Sequence, residues 1–377
     1  MSDRIFDAIV LGVGGMGSAT VFELARRGLR VLGLEQFDLV HDRGSSHGQT
    51  RVIRTAYYEH PSYVPLVQRS FELWHDLEQR TGEHLLTECG CLNVGPENSE
   101  IVRGASLSAL EHNLAAEEIP NEELKRRFPI FHFPDGYHGA LEQEAGLLYV
   151  EKCVRAHIDA ARSLGAKVHA NESVVEWSVN GNTVDVRTAR NRYASARLVI
   201  TAGPWASQLL ARWGQYLRVM RQVMLWIGTR DERQFRRDAF PIYLAEVPEG
   251  YFYGFPVIDA LGHKVAQHYG APELRSPEQI DRTPGPADEA PVRTFLNQYL
   301  PMVDGPLRKA QVCTYTLTPD RHFILDRHPD HANVGIAAGF SGHGFKFAPV
   351  VGEIMADLVM SGPTELPIEM FRLGRFA

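Results

Sequence analysis

The stretch Phe6-Asp7-Ala8-Ile9-Val10-Leu11-Gly12-Val13-Gly14-Gly15-Met16-Gly17 decides the fold. Phe6 to Leu11 has almost no polar interruption and reads as a short buried strand. It runs into G-x-G-x-x-G. Ser18 to Arg27 then reads as a helix stopped by Gly28, and Val31 to Leu34 as a second apolar strand ending in Glu35. Each position has its own physical reason. Gly12 allows the tight turn, Gly14 lets the backbone approach a pyrophosphate, and Gly17 lets helix and strand pack closely, with the helix N-terminus facing negative charge. Glu35, 18 residues after Gly17, suits a ribose diol and disfavours a 2′-phosphate. Glycine patterns also occur in turns of ligand-free α/β domains. The flanking strand, helix and acid make this one a dinucleotide site, without choosing between NAD and FAD.

Composition bounds the rest. A chain of 377 residues, 44% of them hydrophobic, can bury a large core and on length alone suggests about two domains. With 39 Lys+Arg against 46 Asp+Glu, the net charge of −7 points to no nucleic-acid or anionic-membrane partner. No apolar run approaches the roughly 20 residues of a membrane span. The first strand begins within about five residues, which leaves no room for a signal or transit peptide. The four cysteines, Cys89, Cys91, Cys153 and Cys313, match neither a zinc site nor a redox C-x-x-C. A cytoplasmic protein with no metal is the expectation.

Along the middle of the chain, Tyr63 to Arg80 has helical amphipathic spacing and Gly82 closes it. Val150 to Leu164 reads as a helix and Ala166 to His169 as a strand. Ser173 to Val179 and Thr183 to Thr188, including Val174, form a hairpin around Asn180-Gly181-Asn182. Arg197 to Trp205, including Gly203, is a buried strand and turn where a dinucleotide domain resumes. From about Leu217 to Leu300 longer strands are expected, and Ala271 to Ala290, rich in Pro, Asp and Glu, is expected to be a solvated connection. The fold expectation is α+β: a Rossmann-like domain (1–80, 150–215, 310–377) interwoven with a substrate domain on a large mixed or antiparallel sheet (81–149, 216–309).

Three strands carry candidate chemistry. In Gly262 to His268, alternation puts Lys264, Ala266 and His268 on one face, which suits a wet pocket or a solvated edge strand. In Tyr251 to Pro256, Tyr251, Tyr253 and Phe255 share a face; such an aromatic stripe is more often core than pocket. In Gln311 to Thr316, Cys313 and Tyr315 share a face, and a lone buried cysteine is usually packing. A Gly-rich run, Gly339-Phe340-Ser341-Gly342-His343-Gly344-Phe345-Lys346, then enters an apolar helix from roughly Phe345 to Met360.

Three runs in order resemble the monomeric sarcosine oxidase and N-methyltryptophan oxidase family: Gly44 to Tyr57 (GSSHGQTRVIRTAY), Gln311 to Thr316, and Gly339 to Phe347. The likeness extends from Ile5 to Phe376. It implies an FAD-dependent amine oxidase of the D-amino-acid-oxidase-like class, acting on a secondary amino acid and returning electrons to O2 as hydrogen peroxide, as a monomer. It implies a flavin bonded to Cys313 through a thioether. Lys264 would lie near flavin N5 and promote oxygen reduction, since a fixed ammonium stabilises developing superoxide. Arg54 and Lys346 would hold the substrate carboxylate, and Tyr253 and Tyr315 would border the substrate. His268 and His343 would position the amine and tune its protonation, for which an ordinary imidazole pKa near 6.5 is suitable. His47 and Arg51 would pack near the flavin ring, while Gly342, Lys346 and the following helix amides would face its pyrimidine.

The chain departs from the family pattern at four places. Relatives usually have His-His and Asp where Ser46-His47 and Gln49 stand here, and histidine and glycine at Thr55 and Tyr58. These changes bear on which amine fits, so bulkier N-methyl or cyclic amino acids stand beside sarcosine. Rival readings are an FAD dehydrogenase with another electron acceptor, an NAD-dependent dehydrogenase, which offers no role for Cys313, and a non-catalytic flavin-binding module.

Overall fold

The computed structural model describes residues 5–360 and 362–376. The fingerprint strand Ala8–Leu11, buried at all four positions, sits inside a six-stranded sheet in the order Lys167–His169, Val31–Leu34, Ala8–Leu11, Leu198–Ile200, His331–Ala338, Ile324–His328. All pairings are parallel except the last, which is antiparallel. Strands buried on both faces need no polar alternation, which explains their continuous apolar spelling. One face is covered by the helices Gly15–Arg26, Val150–Ser163, Ala348–Met360 and Val64–Thr81, whose apolar sides form one core with Val10, Val31 and Val199. The other face packs on a four-stranded sheet in which Ile5–Phe6 runs beside Arg192–Ser195, followed by Thr183–Thr188 and Val174–Asn180.

The second layer is a nine-stranded sheet. Its path runs Glu273–Leu274, Arg218–Ile227, His263–His268, Gly250–Phe255, Ile242–Val247, Cys91–Pro96, Tyr137–Glu142, Ala116–Ile119, with Leu307–Leu317 pairing Arg218–Ile227. It is mixed, because Ile242–Val247 and Cys91–Pro96 run parallel while the other pairs are antiparallel. The helix Pro286–Tyr299 closes one face through Val292, Phe295 and Leu296. A small sheet of Thr50–Ile53, Gly146–Tyr149 and Leu86–Glu88 holds the signature run.

Two sequence expectations need correction. Residues 271–290 are not merely a solvated connection: the helix Pro286–Tyr299 begins inside them, with Pro286 at the first turn where a missing N–H costs nothing. Arg221 ties Asp288 back to the sheet at 2.5 Å. The strand Leu307–Leu317 also hydrogen-bonds along Arg218–Ile227, so residues 310–317, Cys313 included, belong with the large sheet by pairing. An apolar β-branched spelling shows that a strand forms but not which sheet receives it.

Candidate active site

A single cavity runs from the glycine fingerprint to the large sheet. Its walls include Gly12, Gly14, Glu35, Val174 and Gly203 at one end, Arg51, Cys313 and Tyr315 in the middle, and Arg54, Tyr253, His268, Gly342, His343 and Lys346 at the other. Fourteen expected site residues therefore surround one space. Gly17, His47 and Lys264 are not among its lining residues.

The glycines separate by what their missing Cβ would meet. At Gly17 it would fall 1.8 Å from Gly12 O, so this glycine exists for helix-to-turn packing. At Gly12, with φ +85°, it would fall 2.8 Å from Thr201 O. At Gly14 the nearest protein atom is Ser46 Oγ at 3.5 Å, so the room there belongs to the cavity. Glu35 lies beside this turn, its carboxylate accepting from Val13 N at 2.9 Å and Phe37 N at 3.1 Å. Carboxylate oxygens have lone pairs to spare for a ribose diol. A cradle without Cβ atoms, a helix N-terminus and a buried acid fit the adenosine and pyrophosphate portion of FAD. Gly342 is different: at φ +86° its Cβ would lie 2.5 Å from the Tyr315 ring, so the Gly-rich run closes against that tyrosine.

Arg51 is bound at the centre. Its Nη2 donates to Ser45 O at 2.9 Å and lies 3.4 Å from Cys313 Sγ. Behind it, the Lys264 ammonium donates to Gly48 O at 2.6 Å, Thr50 O at 2.7 Å and Thr50 Oγ1 at 3.2 Å. Lys264 thus clamps the segment that presents Arg51, while burial, reinforced by Arg51, pushes its pKa well below the ordinary lysine value. His47 is buried behind the wall with Nε2 3.2 Å from Gly44 O, and burial holds its pKa near about 3.

At the far end, Arg54 is 1% exposed and its Nη2 meets Glu59 Oε2 at 2.7 Å. Burial opposes both charges; Arg54, then His343 and Lys346, outweigh it and hold Glu59 at about 2, while Glu59 and nearby tyrosines raise Arg54. Arg54 Nε and Glu59 Oε1 are buried without hydrogen-bond partners, and both residues line the cavity. The buried Glu142 carboxylate fixes the turn that aims Arg54: it accepts from Thr55 Oγ1, from Thr55 N at 2.7 Å and from Ala56 N at 2.8 Å. Lys346 Nζ donates to His343 O at 2.7 Å and approaches Tyr57 Oη at 3.4 Å; burial, with Arg54 adding, lowers it to about 7.

The two histidines correct an expectation. Burial pushes His268 down to about 3 and His343 to about 4, so neither titrates near 6.5. Both are neutral hydrogen-bonding rings. His343 Nε2 faces Arg321 O at 3.1 Å, so it carries the proton and leaves Nδ1 to accept from Tyr57 Oη at 2.6 Å. His268 Nδ1 pairs with Tyr315 Oη at 3.0 Å. Sequence reasoning missed Glu59, Glu142 and Tyr57, and it marked Ser46 only as a departure from the family pattern; Ser46 Oγ accepts from Gly15 N at 2.9 Å. Ser46, Tyr57 and Glu59 lie in or beside the signature run, but no spacing rule on an irregular loop reveals their partners. Among the described residues, no three His, Cys, Asp or Glu side chains converge as a metal site. Among the described residues, no helix is long and apolar enough to cross a membrane.

A Rossmann-like sheet opening into a buried, cation-lined cavity beneath a large mixed sheet defines a dinucleotide-dependent oxidoreductase. The family model for FAD dependent oxidoreductases matches residues 7–358. The chain belongs to that family. It is 43% identical over 377 residues to monomeric sarcosine oxidase of Streptomyces avermitilis, covering 99% of this chain and 98% of that one. It is 35% identical over 376 residues to N-methyl-L-tryptophan oxidase of Yersinia pestis, covering 98% and 99%. Among solved structures, NikD, an unusual amino acid oxidase essential for nikkomycin biosynthesis, superposes with a TM-score of 0.85 at 25% identity over 98% of this chain and 97% of that one. L-proline dehydrogenase from P. horikoshii shares the fold, with a TM-score of 0.85 at 23% identity, covering 99% and 98%.

Proposed function

We propose that this protein is an FAD-dependent oxidase of secondary amino acids, with sarcosine or another compact N-methyl amino acid as substrate. The observation that carries the reading is the continuity of the cavity, from Gly14 and Glu35 past Cys313 to the cations Arg54 and Lys346. Residues 1–80, 150–215 and the chain beyond the strand Leu307–Leu317 would hold the cofactor, and 81–149 with 216–317 would supply the substrate side. When bound, FAD supplies a two-electron acceptor for the substrate C–H and passes the electrons to O2.

The chain's own residues do the rest. Arg54 and Lys346, both lining the cavity, would hold the substrate carboxylate. Tyr253 and Tyr315 present aromatic walls against which a methylamine group can lie. Burial, with Arg54 and Lys346 adding, keeps His268 neutral, and the same burial and cations would disfavour an ammonium there and so favour the unprotonated nitrogen needed for C–H transfer. Loss of the hydride equivalent yields an imine, and water hydrolyses it to an aldehyde and an amine while O2 becomes H2O2. Lys264, its ammonium held behind Arg51 by the Gly48 and Thr50 carbonyls against the burial that lowers its pKa, would contribute positive charge toward oxygen reduction. The cofactor would be tethered to Cys313. The enzyme would act as a monomer, as relatives named monomeric suggest, in the cytoplasm, whose reducing thiol pool would keep Cys89, Cys91 and Cys153 reduced. A peroxide-coupled screen of N-methyl and cyclic amino acids tests the reading; absence of peroxide and of anaerobic bleaching with every member would refute it.

A further inference from the structure

Tyr58 stands between two cavities. Its side chain lines the inner cavity beside Arg54 and also lines an outer one bounded by Glu97, Glu100, Arg103 and His138. The ring lies over the Arg54 guanidinium, 4.6 Å from Cζ to the ring centroid. It bridges the apolar group of Ile101 and Leu244 on the inner side and that of Val102 and Ala105 on the outer.

The backbone that carries the ring is held in place. Ser108 Oγ donates to Tyr57 O at 2.5 Å, and the helix Glu100–His112 comes so close that a Cβ on Gly104 would lie 2.2 Å from Tyr58 O. On the reading above, the substrate carboxylate sits on Arg54, so the substituent at the adjacent carbon starts beside the ring covering that same guanidinium. Beyond the ring, the outer cavity offers further room in that direction.

We propose that Tyr58 sets the size of the substrate, confining the site to compact N-methyl amino acids by closing the space between the two cavities. The inference rests on the oxidase reading. Its determinant is ring volume, because Tyr58 Oη makes no hydrogen bond that the geometry requires.

The test compares kcat/KM for peroxide release from sarcosine and from N-methyltryptophan in the wild type, Tyr58→Gly and Tyr58→Phe. Equilibrium binding of acetate and indole-3-acetate, followed by calorimetry on the same holoenzymes, gives a readout independent of turnover. Wild type should favour the small member of each pair. Tyr58→Gly should shift the bulky-to-small ratio by about tenfold or more, the scale of steric discrimination in apolar pockets. Tyr58→Phe should keep the wild-type ratio. Should Tyr58→Gly lose its flavin or its thermal transition, Tyr58→Leu carries the same comparison. An unchanged ratio in the smaller variants, a Phe variant that shifts as far as Gly, or a wild type that takes both amines equally would overturn the proposal while leaving the oxidase reading intact. No peroxide and no anaerobic bleaching of the wild type with either amine would overturn that reading itself, and this proposal with it.

Discussion

The Arg51 guanidinium donates to Cys313 Sγ at 3.4 Å across 262 positions of chain, joining the signature loop to the large sheet. Ser45 strengthens the junction: its Oγ donates to Thr314 O at 2.5 Å, and its own carbonyl accepts from Arg51. This buried sulfur packs with Met224 and Trp226 and also lies beside a fixed cation on the wall of the cavity, which suits the proposed tether.

Acid-precipitated wild-type protein should therefore stay yellow, with an intact mass exceeding the polypeptide by one FAD. Cys313→Ser should release its colour into the supernatant on denaturation. A yellow supernatant from the wild type would end the tether and leave the fold untouched.

Arg54 has two roles that a double variant separates. Arg54→Met should weaken binding of simple carboxylates by about 2–4 kcal/mol, the scale of a charge-assisted contact in a desolvated pocket. It should also lower stability by about 3–5 kcal/mol, because Glu59 is left buried and unpaired. Adding Glu59→Gln should recover stability without recovering affinity. Denaturation midpoints and inhibitor titrations on the three proteins decide this; recovery of both would show that Arg54 does not touch the carboxylate.

Lys264→Met separates the two half-reactions. Substrate should still bleach the flavin anaerobically, somewhat more slowly because the Gly48 and Thr50 carbonyls lose their donor. Reoxidation by O2 should slow by a factor of about 10²–10³ if the ammonium stabilises superoxide as it forms. Stopped-flow traces showing wild-type reoxidation and a slowed reductive step would make Lys264 a clamp for the Arg51 segment alone.

The pH dependence of carboxylate binding should follow Lys346. Burial, with Arg54 adding and Glu59 opposing, brings its pKa from 10.5 down to about 7. Below that value the ammonium is present and can pair with a carboxylate, so affinity should fall as pH rises through about 7. Stability moves the other way: a base depressed in the fold adds stability as pH rises from about 7 toward 10.5, where the unfolded chain binds the extra proton. Lys346→Met should flatten the affinity profile. A profile that stays steep in that variant would assign the titration elsewhere among the groups facing Lys346, namely Glu59, Tyr57, His343 and Cys91.

Much of the architecture was legible because its causes are local. Gly17 is fixed by Gly12 O a few residues before it and Gly12 by its own φ of +85°, although Thr201 O from far along the chain also leaves Gly12 no room for a Cβ. Gly82 ends its helix at φ +69°, and the strands His263–His268 and Gly250–Phe255 fall where alternation puts them. The helix Pro286–Tyr299 escaped because its first turn is spelled in prolines and acids, which read equally as a loop.

The sequence by itself determined that a dinucleotide domain exists, that Lys264 and His268 share a face, and that the signature runs belong together. Only the tertiary structure decided that Arg54 pairs with Glu59, that Lys264 is turned onto the Gly48 and Thr50 carbonyls, that His268 and His343 stay neutral, and that Tyr58 lines two cavities. Turn sterics and side-chain alternation act between neighbours along the chain. Burial, charge pairing and cavity walls are set by residues brought together through space, and no short stretch of sequence contains them.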